Sequence, residues 1–252
     1  MKFVTFNIRR DFDFDKELRF LYRKDFIEEK LRQEQADILC FQEVLPDAKM
    51  WLKKILPEYD VLGCGRDEVL ESETAVVAYK KEKFDLISMS TFWLSETPNV
   101  PGSRYEDQSD CPRTCTAVLL KELDTGLIFR VYNTHLDHVG SSARMLGVKQ
   151  ILEQKNKETL FPDAPILFTG DFNATPDAPE IVYISEKEDW VDYTEDLGIT
   201  FHNYGKEEYF VKIDYIFGDK SWNCIKKEKW TDRKGELYLS DHYPVCVELE
   251  RK

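Results

Sequence analysis

The stretch Thr169-Gly170-Asp171-Phe172-Asn173 constrains this chain more than any other. It follows the apolar run Ala164-Pro165-Ile166-Leu167-Phe168 and precedes a turn signal at Thr175-Pro176-Asp177. A short apolar run bounded by Gly and Pro reads as a buried strand, and this one delivers Asp171 and Asn173 to its C-terminal end. Ligands of open α/β sheets bind at that end. A carboxylate and a carboxamide two residues apart on an extended segment point the same way, and such a pair suits one water or phosphate oxygen. The competing reading is an Asx turn capping a following helix, a common use of Asp and Asn.

Four other stretches place similar groups at the ends of apolar runs. Residues 2–8 carry Phe3, Val4, Phe6 and Ile8 and read as a first core strand ending at Asn7. Residues 36–43 form a second buried strand whose end presents Glu43. Residues 114–123 and 127–135 read as a hairpin through Asp124-Thr125-Gly126, ending in Asn133-Thr134-His135. The C-terminal part holds Ile213-Asp214-Tyr215 and Ser240-Asp241-His242-Tyr243-Pro244.

Between these lie helical patterns. Leu18, Leu21, Tyr22, Phe26, Ile27 and Leu31 recur at three- and four-residue intervals and predict an amphipathic helix over 13–35. Further helices are expected at 47–56, at 141–160 with Ser141 as N-cap, and at 178–185. Strands are expected at 59–63, 73–79, 84–94, 212–218, 222–229 and 243–249. Residues 95–112 lose the apolar signal and read as a long loop of the kind that flanks active sites. Strands alternating with helices and then pairing in hairpins imply sheets covered by helices.

A chain of 252 residues with no break in composition is expected to form one domain over 1–252. Its 42% hydrophobic and 33% charged residues exclude a disordered chain. No charged-then-apolar leader precedes Asn7, and no apolar run reaches the ~18 residues of a membrane span, so a cytoplasmic protein is expected. Six scattered cysteines lack zinc-site spacing and read as buried free thiols of a reducing compartment, with a Cys111–Cys115 pair as the alternative. The formal charge of -13 opposes a polyanionic partner unless a local basic patch overcomes it.

The five polar strand ends, in this order and at this spacing over residues 3–249, resemble the endonuclease/exonuclease/phosphatase superfamily of deoxyribonuclease I-like metal-dependent phosphoesterases. The resemblance implies a four-layer α/β sandwich, two mixed sheets packed face to face with helices outside. It implies a Mg²⁺ cofactor, with Mn²⁺ as the other hard cation, held through Glu43, Asn7 and Asp241. Asp171 would orient or deprotonate the attacking water, with Asn173 holding the water or the phosphate. His242 would contact the phosphate with Asp214 as its orienting partner. His135 would pair with Glu73 to protonate the leaving oxygen, the alternative being a structural strand histidine.

Arg113 and Arg144 are candidate substrate contacts, because a guanidinium fork matches phosphate oxygens; surface charge is the competing reading. Arg9 is a weaker candidate, standing where some nuclease branches have an acid. Phe92-Trp93-Leu94-Ser95-Glu96-Thr97-Pro98 followed by Arg113-Thr114 resembles bacterial members related to the deadenylase and nocturnin branch. Tyr105-Glu106 departs from the Trp-Asp of many of those relatives. Tyr105 and Trp93 are candidates to stack on a base or sugar, with core packing the alternative for Trp93. The expected activity is hydrolysis of a small phosphomonoester or phosphodiester, with no protein partner. The alternatives are a nuclease acting on DNA or RNA and a catalytically silent binding module.

Overall fold

The computed structural model describes residues 1–252. In chain order it opens with β1 (Lys2–Asn7), α1 (Phe20–Glu34), β2 (Ile38–Val44), α2 (Pro46–Ile55), β3 (Tyr59–Leu62) and β4 (Thr74–Lys80). Next come β5 (Phe84–Trp93), β6 (Thr114–Glu122), β7 (Ile128–His135), α3 (Ser141–Lys157), β8 (Ile166–Asp171), α4 (Pro179–Ser185) and β9 (Trp190–Asp192). The chain closes with β10 (Asp214–Asp219), β11 (Trp222–Lys229), β12 (Arg233–Lys234), β13 (Leu237–Tyr238) and β14 (Val245–Arg251).

One sheet runs β11-β14-β1-β2-β4-β3 and the other β5-β6-β7-β8-β10-β9. Each has one parallel pair at its centre, β1 with β2 and β7 with β8, joined by a crossover helix, α1 or α3. The C-terminal ends of those four strands carry Asn7, Glu43, His135 and Asp171.

The layers follow from period-two alternation along the strands. Val4, Phe6, Leu39 and Phe41 face Phe26, Ile27 and Leu31 of α1 and Leu52 of α2. The opposite row, Phe3, Ile38, Cys40 and Val77, packs on Val118, Phe129, Val131, Leu167 and Ile216 of the second sheet. Tyr132, Phe168 and Phe217 then pack on Val148, Ile151 and Ile184 of α3 and α4. Three apolar interfaces separate four layers, as expected. Each fully buried large side chain contributes roughly 1.5–3 kcal/mol to that packing.

Several expectations need correction. The helix expected over 13–35 begins only at Phe20, because Lys16 sits at φ 49° and breaks residues 13–18 into a separate short turn. Ser141 is not the N-cap of α3; Gly140 is, and the Asp137 carboxylate accepts the N–H groups of Val139 (3.0 Å) and Gly140 (2.7 Å). All six cysteines are free thiols, so Cys111 and Cys115 are unpaired. The short strands β9, β12 and β13 carry too few residues to show a period. No helix is long and apolar enough to cross a membrane.

Candidate active site

The row of side chains between the sheets begins apolar and turns polar toward one end. Along β1 it reads Phe3, Thr5, Asn7; along β2, Ile38, Cys40, Gln42; along β7, Val131, Asn133, His135; along β8, Leu167, Thr169, Asp171. The Gln42 amide donates to Thr5 Oγ1 at 3.0 Å and, across the sheet interface, to Asn133 Oδ1 at 2.7 Å. Asn133 Nδ2 returns hydrogen bonds to the carbonyls of Phe41 (2.9 Å) and Val76 (2.8 Å). Buried amide hydrogen bonds of this kind fix the register of one sheet against the other, although Gln42 Oε1 itself has no partner.

Glu43 reaches the cleft through a local irregularity. Phe41 pairs with Val76 and Val44 with Thr74, so two residues of β2 oppose one of β4, and Glu43 takes φ 60°. Such a bulge re-aims a side chain. Arg9 (φ 52°) and Asn173 (φ 48°) share this left-handed backbone, which costs on the order of 1 kcal/mol each and gathers at functional sites. Gly170, at φ 143°, is required: a Cβ there would lie 1.9 Å from the Thr134 carbonyl oxygen.

These residues surround a cleft of about 780 Å³. Asn7 joins the sheets, its Nδ2 donating to Asp171 Oδ2 at 2.9 Å and to Glu43 Oε1 at 3.2 Å. The Arg10 N–H reaches Glu43 Oε2 at 3.0 Å, and the Asn173 N–H reaches Asp171 Oδ1 at 2.9 Å. His242 Nδ1 lies 2.9 Å from Asp214 Oδ2, while its Nε2 is 3.7 Å from Asp171 Oδ2. His135 Nε2 is 3.5 Å from the same Asp171 oxygen, and its buried Nδ1 has no partner. Arg9 Nε lies 3.0 Å from Asp15 and 3.5 Å from Asp241.

Burial and charge set the protonation states. Burial lifts the Asp171 carboxyl to about 7 against the pull of His242, and burial likewise raises Asp241. Burial raises Glu73 too, helped by the charge of Glu43. Burial alone would depress His242, but the charges of Asp214 and Asp171 overcome it and lift the ring to about 10. His135 goes the other way: burial and the charge of Arg113 hold it well below the ordinary histidine value. Glu43 stays below the ordinary carboxylate value because the charge of Arg9 and the Arg10 N–H outweigh its burial.

This donor set fits a hard divalent cation. Glu43, Asp171, Asp214 and Asp241 are four acids with Arg9 and His242 as the cations beside them, and carboxylate oxygens are the ligands a hard divalent cation takes. The donor atoms of Asp171, Asp214 and His242 lie within 4.8 Å of one another. The Glu43 and Asp241 carboxylates and the Asp171, Asp214 and His242 trio are thus the two groups of donors that could hold a cation, with His242 Nδ1 already taken up by Asp214 at 2.9 Å.

Of the residues expected from sequence, Glu43, Glu73, Arg113, His135, Asp171, Asn173, Asp241 and His242 line the cleft. Asn7 and Asp214 stand directly behind them. Three expectations fail. Glu73 does not pair with His135; its Oε1 takes Arg10 Nη1 and Arg66 Nη2, each at 2.8 Å. Arg144 is turned away to Glu180 of α4 and the Asp137 carbonyl. Tyr105 lies outside the cleft with its hydroxyl on Gln150 at 2.9 Å. Trp93 is a core residue whose indole N–H donates to the Arg66 carbonyl at 2.6 Å. Arg10 and Arg66 were missed; for Arg10 the available signal was the Arg9-Arg10 doublet directly after Asn7-Ile8.

The family model described as Endonuclease/Exonuclease/phosphatase family matches residues 4–242. The structure of an endonuclease/exonuclease/phosphatase from Bacteroides vulgatus superposes with a TM-score of 0.92 at 33% identity, covering 100% of this chain and 98% of that one. A mannosyl-6-phosphatase from Bacteroides thetaiotaomicron gives a TM-score of 0.90 at 28% identity, covering 99% of both chains. The human 2',5'-phosphodiesterase 12 is 25% identical over 194 residues, which is 67% of this chain and 32% of that protein.

Proposed function

The chain belongs to the endonuclease/exonuclease/phosphatase family, and from that premise we propose that it is a Mg²⁺-dependent phosphoesterase hydrolysing a small phosphomonoester or phosphodiester. The observation that carries this reading is the Asn7 bridge, which brings Glu43 of one sheet and Asp171 of the other onto one buried point.

Glu43 and Asp241 would hold the cation, with the Asn7 amide keeping Glu43 aligned. When bound, the cation supplies charge neutralisation at the phosphoryl oxygens. Asp171, with a carboxyl near 7, orients the attacking water and accepts its proton, and Asn173 fixes that carboxylate through its N–H. His242, locked as a cation by Asp214, faces the phosphoryl oxygens. His135, held below the ordinary histidine value, stands with Nε2 3.5 Å from Asp171 and would offer the leaving oxygen a hydrogen bond rather than a charge. Arg113 contacts the substrate. The free thiols suit a reducing, cytoplasmic setting.

The neighbouring mannosyl-6-phosphatase supports a small ester, and the formal charge of -13 weighs against a long nucleic acid. A panel of sugar phosphates, nucleotides, diesters and oligonucleotides, assayed in Mg²⁺ and in chelator, tests the reading. Chelator-sensitive turnover of a small ester is expected. Efficient cleavage of oligonucleotides with no small-ester activity would replace it with the nuclease reading.

A further inference from the structure

Beside Glu43 the cleft forms a recess lined by Arg10, Arg66, Glu73, Arg113 and His135. Three guanidinium groups converge there. Arg10 and Arg66 share one oxygen of Glu73, while Arg113 places Nη2 3.0 Å from His138 Nδ1 and Nε 3.5 Å from Asp137 Oδ1. Arg113 is 3% exposed, and its Nη1 has no hydrogen-bond partner. A buried guanidinium N–H without a partner is costly, and its natural complement is an anion with two or more oxygens. Of the three carboxylates beside these guanidiniums, Glu43, Glu73 and Asp137, the Asp137 carboxylate is already occupied by the N–H groups of Ser109, Val139 and Gly140, and none takes Arg113 Nη1.

The recess is also rigid. The Arg66 N–H bonds the Glu73 carbonyl at 3.1 Å, Trp93 holds the Arg66 carbonyl, and the Asp67 carboxylate ties down the Glu71 N–H at 2.7 Å. A Cβ on Gly65 would lie 2.5 Å from the Leu70 carbonyl, so the loop closes only with glycine there. Arg10 is stacked on Phe12 at 3.8 Å. Binding at such a site orders little that is not already ordered.

We propose that Arg10, Arg66 and Arg113 form a second anion subsite, and that the substrate is a small phosphoester carrying a second phosphoryl group. This rests on the phosphoesterase reading above for the position of the scissile group. Glu73 serves here as the acid that spaces two guanidiniums, a role that explains its separation from His135.

The test compares glucose 1,6-bisphosphate with glucose 6-phosphate in Mg²⁺, on wild type, Arg66→Ala and Arg66→Lys, by titration calorimetry and by phosphate release. The bisphosphate is expected to bind wild type about tenfold or more tightly, with most of that preference lost in Arg66→Ala and part retained in Arg66→Lys. Calorimetric stoichiometry reports the folded fraction, and the ratio of affinities on one preparation is independent of it. Equal affinities, no affinity for either sugar, or an equal loss for both in Arg66→Ala overturns the subsite. An Arg66-dependent preference without hydrolysis of either sugar leaves the subsite standing and counts against the phosphoesterase reading.

Discussion

Asp137 shows how one side chain sets a loop that a site depends on. Its burial would raise the carboxyl, but N–H groups of Gly140 and Ser109 and the Ser109 hydroxyl hold it down to about 2. The carboxylate thereby positions the start of α3 and sits under Arg113. A carboxyl depressed from 3.8 to about 2 contributes about 2 kcal/mol of stability above the unfolded value. That contribution is lost as pH falls from about 4 through 2. Urea unfolding of wild type and Asp137→Asn should therefore differ by about 2 kcal/mol at pH 5–7, with the gap closing toward pH 2. A gap that persists unchanged at pH 2.5 would contradict this account of Asp137. Glu43 and Asp171 stood out because each ends an apolar run, whereas His242 came only from the resemblance of Ser240-Asp241-His242 to the family's terminal motif. Arg144 was not, because nothing near it in sequence announces Glu180, 36 residues away in α4.

At the scale of elements, the segment between β1 and α1 is the part sequence misread. Hydrophobic spacing found Phe26, Ile27 and Leu31, but the buried face of α1 also includes Arg23 and Lys30, which no apolar pattern reveals. Arg23 is fully buried and donates to the carbonyls of Leu18 (2.7 Å), Ile8 (2.9 Å), Arg9 (2.8 Å) and Leu239. It ties the two ends of the 8–18 segment to each other and to Leu239, and so fixes the backbone that presents Arg9 and Arg10. Arg23→Met strands these carbonyls and is expected to cost about 3 kcal/mol, with the urea midpoint falling accordingly. A loss under about 1 kcal/mol would show that water or local rearrangement replaces the guanidinium. The bulge at Glu43 was equally hidden, since strand periodicity carries no mark of an extra residue.

For the whole molecule, the layers were legible from alternation between strands and helices, while the number of layers came from the family resemblance. What alternation cannot convey is which end of the sandwich collects the polar residues; the two parallel pairs decide that by aligning four strand ends. The global charge matters at this scale too. A molecule of charge -13 should bind duplex DNA weakly, with a salt slope of magnitude below about 2 by fluorescence anisotropy. A slope of about 6 or more would reveal a surface track of phosphate contacts that this charge distribution does not provide.

The central claim is that both sheets meet at one cation-dependent hydrolytic centre through Glu43, Asn7 and Asp171. Its most direct test is the single-turnover rate of phosphate release from the best small ester, measured for wild type and Glu43→Gln across a Mg²⁺ titration and in chelator, with circular dichroism to verify the fold. Wild type should saturate with Mg²⁺ and stop in chelator, while Glu43→Gln should be slower by about 100-fold or more at every Mg²⁺ concentration with its fold intact. Undiminished turnover by Glu43→Gln in excess chelator would contradict the claim.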